Sequence, residues 1–325
     1  MRRRDTIQLL AGAAASIAAP ALWAQPARKT FRIGVVSQWI PRPYFTGIPT
    51  ALRELGYEEG REFVLEYRFV QERAEELSAR FADLVAAKVD LILAGQNTEI
   101  LAAKGATTSI PIVMMYAIAP IESGFVASFA RPGGNITGMV KDGPDTAAKK
   151  LELLREAVPG VSRVTLLWGP ALPGLEAYRR SAERAAQALG MRLTALPCHT
   201  LAELEAAFAG IAQSRPDALY VVPDNAIFAY RARVIEFAAR QRLPAIYTGK
   251  FFMLGGGLIA HSPVDEVAER QIAAIIKRIL SGEKAGAIAL QQPDKYALVV
   301  NLKTAKTLGI DLPPSLVSRA DEVFH

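Results

Sequence analysis

Runs of apolar residues alternate with longer segments of helical periodicity along most of this chain. A short run rich in β-branched residues is typical of a strand, whereas apolar residues that recur at a period of 3.6 indicate an amphipathic helix. In the first part of the chain the pattern predicts strands over 31–37, 90–95 and 110–117, and helices over 77–88 and 97–109.

The same alternation restarts beyond residue 140. It predicts helices over 146–158, 175–190, 201–213, 230–241, 264–282 and 302–309, and strands over 163–169, 191–198, 218–224, 244–249 and 291–300. Alternating strands and helices indicate βαβ units and mainly parallel sheets. The simplest α/β architecture with this order has two doubly wound, Rossmann-like lobes.

Three extended segments, 135–140, 257–262 and 296–301, each suit a passage between the two lobes. Several connections side by side form a hinge, because they permit closure and restrict other relative motions. We therefore predict one lobe from residues 28–137 with 263–295, and a second from residues 138–262 with 296–325.

The sequence ARPGGNITG, residues 130–138, lies at the first of these passages. We predict a helix over 122–130 that ends at Gly133 or Gly134, since glycine readily adopts the left-handed conformation that stops a helix. The following residues, Asn135 to Gly138, then begin the first interlobe strand and are expected at the hinge.

The first residues have the features of an export signal. Three arginines at positions 2–4 precede an apolar run over 9–22, and small residues follow it. The run is shorter than the roughly 20 apolar residues that span a membrane. We predict a signal peptide over 1–24, cleaved near Ala24, and a periplasmic mature chain. The arginines partly match a twin-arginine signal, and an uncleaved membrane anchor is the alternative.

Composition and motifs argue against several classes of function. The formal net charge is +6, and lysines and arginines are scattered beside glutamates, which is unlike a nucleic-acid-binding surface. The single cysteine, Cys198, excludes an internal disulfide, and the three histidines lack the spacing of metal ligands. Phosphate-loop, dinucleotide and nucleophile-elbow motifs are absent from the sequence. We expect a monomer that is not an enzyme and holds no metal or cofactor.

Six blocks of sequence, in order, carry a family resemblance. They are RELGYEEGR (53–61), AAKGATTSIPIV (102–113), GFVASFARPGGNITG (124–138), KKLELLREAVPGVSRV (149–164), QRLPAIY (241–247) and NLKTAKTLGIDLPPSLVSRADEVF (301–324). The chain resembles bacterial ABC-transporter substrate-binding proteins of the tryptophan/tyrosine type. The resemblance implies a periplasmic-binding-protein fold of type I, with a small solute held between two lobes and delivered to an ABC permease in the inner membrane.

Ligands of open parallel sheets bind beyond the carboxyl ends of the strands. At these junctions Asn97-Thr98 either holds a carboxylate at a helix N-terminus or only caps the helix, and Asp224-Asn225 either binds an ammonium or caps. The aromatic residues there either line the pocket or pack in the core. The candidate ligand-binding residues are Ser37, Gln38, Trp39, Gln96, Asn97, Thr98, Tyr116, Ile118, Trp168, Asp224, Asn225, Tyr247, Thr248 and His261.

Two departures from the family pattern bear on the ligand. Relatives carry an acidic residue where this chain has Ala119, and a tyrosine and a glycine where it has His261-Ser262. If Lys250 faces inward, it favours an anion. We therefore expect an organic acid or aromatic carboxylate at least as readily as tryptophan. A ligand-sensing subunit that docks on a membrane sensor kinase is the alternative function.

Overall fold

The structure is a computed structural model that describes residues 29–37, 47–70, 76–142, 144–170, 173–223 and 225–325. The predicted signal peptide lies outside these residues. The strands are β1 (Phe31–Ser37), β2 (Phe63–Phe69), β3 (Leu91–Ala94), β4 (Ile112–Ile118), β5 (Ile136–Asp142), β6 (Arg163–Trp168), β7 (Arg192–Pro197), β8 (Ala218–Val222), β9 (Ala245–Tyr247), β10 (Ile259–Pro263), β11 (Tyr296–Asn301) and β12 (Glu322–Phe324).

The helices alternate with these strands along the chain. They are α1 (Gly47–Glu54), α2 (Leu77–Ala86), α3 (Asn97–Ala106), α4 (Pro144–Ala157), α5 (Pro173–Ala188), α6 (Leu201–Ser214), α7 (Asn225–Ala229), α8 (Arg231–Arg240), α9 (Phe251–Leu254), α10 (Asp265–Leu280), α11 (Leu302–Leu308) and α12 (Pro314–Ser318). A 3-10 turn, Ala285–Ala287, follows α10.

The strands form two sheets, one in each lobe. The first has the order β2-β1-β3-β4-β5 and is parallel throughout. The second has the order β12-β11-β10-β9-β8-β6-β7, and its one antiparallel pair among the described strands is β10 with β11. The predicted α/β fold with two lobes of mainly parallel strands is confirmed.

Each sheet is buried on both faces, as parallel sheets usually are. Alternate residues of one strand enter different cores: Val35 packs on one side of the first sheet and Val36 on the other. Helix α10 covers the first of these sides with Ile272, Ile275 and Ile276, although it follows β10 of the second sheet in sequence. The chain therefore returns to the first lobe before it ends in the second.

Three connections join the lobes: after β5, between β10 and α10, and before β11. They lie together, because the backbone N–H of Val264 donates to the carbonyl of Lys295 at 3.0 Å. The Tyr296 hydroxyl likewise donates to the carbonyl of Lys141 at 2.5 Å. Hydrogen bonds thus tie the second connection to the third, and the third to the first.

The region around ARPGGNITG differs from its prediction in two ways. Residues 122–130 form turns and bends, so the helix predicted there is wrong, although Gly133 and Gly134 do adopt positive φ angles. The expected lobe boundary at 137/138 falls inside β5, which pairs with β4 from Ile136 to Asp142. Asn135 donates to the carbonyls of Thr107 and Ile110, at the opposite end of the strand from the connection.

Gly138 holds β5 close against β4. Its φ is +137°, and a Cβ at this position would lie 2.2 Å from the carbonyl oxygen and 2.5 Å from the amide nitrogen of Met114. We expect Gly138→Ala to lower the free energy of unfolding by more than about 2 kcal/mol, because backbone atoms of β4 would have to move. Urea unfolding measures the change.

The matched control is Gly105→Ala in α3, where an added Cβ meets nothing within 4 Å. Alanine is the better helix former, so this variant should gain up to about 1 kcal/mol. Equal stability of the two variants would contradict the assigned role of Gly138.

Candidate functional site

The carboxyl ends of β4 and β6 bring the two lobes together. Ile118, the last residue of β4 in the first lobe, and Ala119, which follows it, share one apolar core with Trp168 and Leu175 of the second lobe. In parallel sheets this edge is where ligands bind. The candidate site therefore lies between the strand ends of the two lobes.

Helix α5 begins directly against the first lobe. A Cβ on Gly174, in its first turn, would lie 2.0 Å from the hydroxyl oxygen of Ser123 and 2.6 Å from the carbonyl oxygen of Ala119. Such distances are shorter than any normal contact, so only glycine permits this approach. The backbone of the second lobe at Gly174 thus packs directly against the backbone of the first lobe at Ala119, at the rim of the site.

Asn97 fixes the segment that meets Gly174. Its Oδ1 accepts from the backbone N–H of Ile118 at 2.8 Å, and its Nδ2 donates to the carbonyl of Ile118 at 2.8 Å and to Ser123 Oγ at 3.2 Å. Both ends of the amide are therefore occupied, and the side chain is buried. The sequence left open a carboxylate site or a helix cap, and for Asn97 the geometry is neither: Gln96 is the N-cap of α3, and the Asn97 amide is a structural clasp on Ile118.

Glu99 lies in the first turn of α3, close in sequence to the candidates Gln96 and Thr98. Its carboxylate accepts from the backbone N–H groups of Gly95, at 2.7 Å, and Gln96, at 3.3 Å. Burial raises the pKa of the Glu99 carboxyl to about 7, although these two hydrogen bonds act in the opposite direction. The first lobe thus carries a buried carboxyl that titrates near neutral pH.

Lys141, near the end of β5, lies between aromatic rings of the two lobes. Its Nζ is 5.9 Å from the ring centroid of Tyr116, in the first lobe, and 5.9 Å from that of Phe251, in the second. Both distances fit cation–π interactions. Burial raises the pKa of Asp265 at the start of α10, and the positive charge of Lys141 partly offsets this. Lys141, at the hinge, thus contacts one aromatic ring in each lobe, Tyr116 and Phe251.

The second lobe contributes one row of residues across three strands. Trp168 of β6 is in register with Val222 of β8, and the pairing of Val221 with Tyr247 places Thr248 next in the row. Trp168 is 6% exposed and Thr248 is 1% exposed. Among the described residues, neither the indole Nε1 of Trp168 nor the hydroxyl Oγ1 of Thr248 has a hydrogen-bond partner.

Three other candidates have neighbours that account for their positions. Tyr247 stacks on Phe252 with ring centroids 4.6 Å apart, and burial raises its pKa. His261 stacks on Tyr296 at 5.3 Å. Lys250 forms an ion pair of 2.6 Å with Glu322, whose hydrogen bond raises the pKa of the lysine. Lys250 is thus already paired with an acid of its own lobe.

Five further candidates lie wholly or partly outside the described residues. Gln38, Trp39 and Asp224 lie outside the described residues. Ser37 ends β1 and Asn225 begins α7, but their side chains lie outside the description. The structure thus brings together Asn97, Ile118 and Trp168 near the lobe contact, with Thr248 two strands away from Trp168 and Tyr116 beside Lys141.

Three residues near the site, Lys141, Phe251 and Gly174, are not among those that the sequence predicts. Lys141 could have been found, because it ends a parallel strand and the same rule about strand ends applies to it. Phe251 follows Thr248 closely in sequence, but nothing marked it as facing the hinge. Gly174 carried no signal, since its role depends on a contact with residues more than 50 positions earlier.

Within the described ranges, metal-binding clusters and membrane-spanning helices are both absent. No group of three or more His, Cys, Asp or Glu side chains there could hold a metal ion. No helix in the same ranges is long and apolar enough to cross a membrane.

Two Rossmann-like lobes with three connections and a site at facing strand ends define the periplasmic-binding-protein fold of type I. The family model for ABC transporter substrate binding proteins matches residues 42–324, and the chain belongs to this family. The family consists of solute-binding proteins and not of enzymes, and its members are typically periplasmic or extracellular.

Similar proteins extend over most of the chain. A tyrosine-binding protein of Clostridioides difficile (strain R20291) is 24% identical over 87% of this chain and 82% of its own. A Streptococcus pneumoniae ABC domain in complex with L-Trp has a TM-score of 0.84 and 22% identity, covering 91% of this chain and all of that one. A ligand-free, open substrate binding protein of Clostridium difficile has a TM-score of 0.66 and 22% identity over 91% and 99%.

The contact at Gly174 leads to a prediction about closure. In Gly174→Ala the added methyl group would collide with Ser123 and with the backbone of Ala119. We expect the lobes to remain further apart, with a larger radius of gyration in small-angle X-ray scattering and unfolding stability within about 1 kcal/mol of the wild type, because the collision is relieved by opening.

Gly210→Ala in α6 is the control, since its Cβ would meet nothing within 4 Å. This variant should scatter like the wild type. A Gly174→Ala protein as compact as the control would show that the contact does not limit closure.

The buried carboxyl of Glu99 predicts a pH dependence of stability. Its pKa of about 7 in the folded protein exceeds the ordinary value of 4.5, so the folded state binds its proton more tightly. Proton binding by Glu99 therefore adds to the free energy of unfolding. This addition is fully present below about pH 4.5 and is lost as the pH rises through about 7, and it amounts to roughly 3 kcal/mol at most. Glu99→Gln should therefore lose less stability than the wild type between pH 5 and pH 8 in urea unfolding. Equal losses would contradict the assignment.

Proposed function

We propose that this chain is the exported receptor of an ABC importer, which captures a small organic molecule between its lobes and delivers it to a membrane permease. The contact between the strand ends of the two lobes, at Gly174 and Ala119, is the observation that carries this proposal. A molecule bound there touches both lobes, so its binding energy favours the closed arrangement.

The ligand class follows from the relatives and from the residues of the site. The tyrosine-binding relative and the L-Trp complex support an aromatic amino acid. Ala119 stands where we expected relatives to supply an acid, which supports an organic or aromatic acid. The ligand is therefore an amino acid, an aromatic acid or another organic acid.

Closure is built on the hinge around Lys141. The side chain contacts Tyr116 and Phe251, which belong to different lobes, so opening changes at least one of these contacts. In the closed arrangement Lys141 makes both contacts at once. The ligand shifts the protein towards this arrangement by binding it more tightly than the open one.

The remaining parts of the proposal concern export and assembly. Residues 1–24 act as a signal peptide of the twin-arginine or general secretory type, cleaved near Ala24, and release the mature chain to the periplasm. The receptor acts as a monomer that meets the permease, and nucleic acid is not a partner. The candidate residues at the strand ends, including Trp168 and Thr248, contact the solute.

Ligand binding to the mature chain tests the receptor function. Amino acids, aromatic acids and organic acids are screened by thermal shift, and each hit is confirmed by calorimetry and small-angle scattering. A true ligand at 100 times its dissociation constant should stabilise the fold by about 2.7 kcal/mol, because it binds only the folded state. It should also reduce the radius of gyration when the free lobes are open.

The result that would sink the receptor proposal is a complete panel with no stabilisation and no binding heat. Stimulation of ATP hydrolysis by a permease complex in liposomes supports import. Stimulation of a membrane kinase in its place would identify the sensing function, and conversion of a hit to product would identify an enzyme.

A further inference from the structure

We propose that the second lobe holds a carboxylate group of the ligand through Trp168 Nε1–H and Thr248 Oγ1–H. This assignment rests on the receptor function proposed above and specifies the chemistry of its site. It goes beyond the aromatic wall expected for Trp168, because it gives the indole nitrogen a polar role.

The strand register brings the two donors to one face of the sheet. Trp168 of β6 pairs with Val222 of β8, and Val221 pairs with Tyr247, the last residue of β9, so Thr248 follows β9 directly on the side of Val222. Trp168 and Val222 face the same core as Ile246, which lies two residues before Thr248. Neighbouring strands are about 4.8 Å apart, so the row places the two donor residues about 10 Å apart at the Cα atoms. A tryptophan side chain readily spans part of that distance.

Both donors are buried without a partner in the described chain. A buried polar group that lacks a hydrogen bond costs about 1–3 kcal/mol, and folded proteins retain few of them. The indole N–H can only donate, which excludes an ammonium group as its partner. The partner must therefore present acceptor oxygens, and two donors in one row suit the two oxygens of a carboxylate.

The helix dipoles at this edge favour a negative charge. Helices α4, of 14 residues, and α5, of 16, run back from the carboxyl edge and pack on the same face as Trp168. Their N-termini carry partial positive charge. The Arg179 guanidinium lies 5.7 Å from the Trp168 ring, and it pairs with both Glu176 and Glu183, so these acids are compensated. Hydrogen bonds to a charged acceptor are the strong ones.

Matched pairs of compounds test the charge of the bound group. Calorimetry of the mature chain compares L-tryptophan with tryptamine, L-tyrosine with tyramine, and phenylacetate with phenylacetamide, and D-glucose represents neutral polyols. In at least one pair, the compound with a carboxylate should bind about 100-fold more tightly than the compound without one. The reason is that the second compound cannot form the two charge-assisted hydrogen bonds.

Two variants test the donors themselves. Thr248→Val and Trp168→Phe each remove one donor and should weaken binding of the carboxylate about tenfold or more. Without ligand, Thr248→Val should unfold at the same temperature as the wild type or higher, because an unsatisfied buried hydroxyl is gone. Thr248→Ser keeps the hydroxyl and should retain affinity within about threefold.

The outcomes separate this inference from the receptor function. A panel in which no compound binds would overturn both. Equal binding of tryptamine, tyramine, phenylacetamide or glucose would overturn the carboxylate assignment and leave the receptor intact. Undiminished affinity in Thr248→Val, or a clear loss of its melting temperature without ligand, would assign Thr248 to the fold and overturn its role as a donor.

Discussion

The clasp between the Asn97 amide and the backbone of Ile118 fixes the place where the lobes meet. It holds the end of β4 through both the N–H and the carbonyl of one residue, and it also holds Ser123. Ser123 and Ala119 are the groups that Gly174 approaches. Because α5 starts there and packs on the face that bears Trp168, the Asn97 clasp lies at the contact between the first lobe and the helix that covers Trp168.

The hinge and the site share the same residues. Lys141 belongs to the first sheet, lies beside rings of both lobes, and offers its carbonyl to the Tyr296 hydroxyl of a different connection. Movement of the lobes therefore acts directly on residues of the candidate site. A solute bound at that site would couple its binding to the shape of the protein without a separate relay.

Much of the architecture follows from local sequence. Every residue of β3 is buried, and such an apolar run is visible without a structure. The prediction of a helix over 122–130 is wrong, because a turn with positive φ at Gly124 buries Phe125 and Val126 there. A turn and a helix can bury the same apolar residues, so the apolar pattern does not distinguish them. The role of Asn97 was left open, since its partner lies 21 residues away. The unsatisfied hydroxyl of Thr248 depends on register between strands, which no local pattern encodes.

The contact between Ser123 and Gly174 also offers an optical readout. The gap at this rim widens when the lobes part, so a dye attached at the exposed neighbour Glu122, outside the contact itself, would change its surroundings with each closure. The only cysteine of the chain, Cys198, is buried in the core of the second lobe. A thiol introduced at the rim would therefore be labelled in preference to the native one, and the protein could report its own ligand by fluorescence.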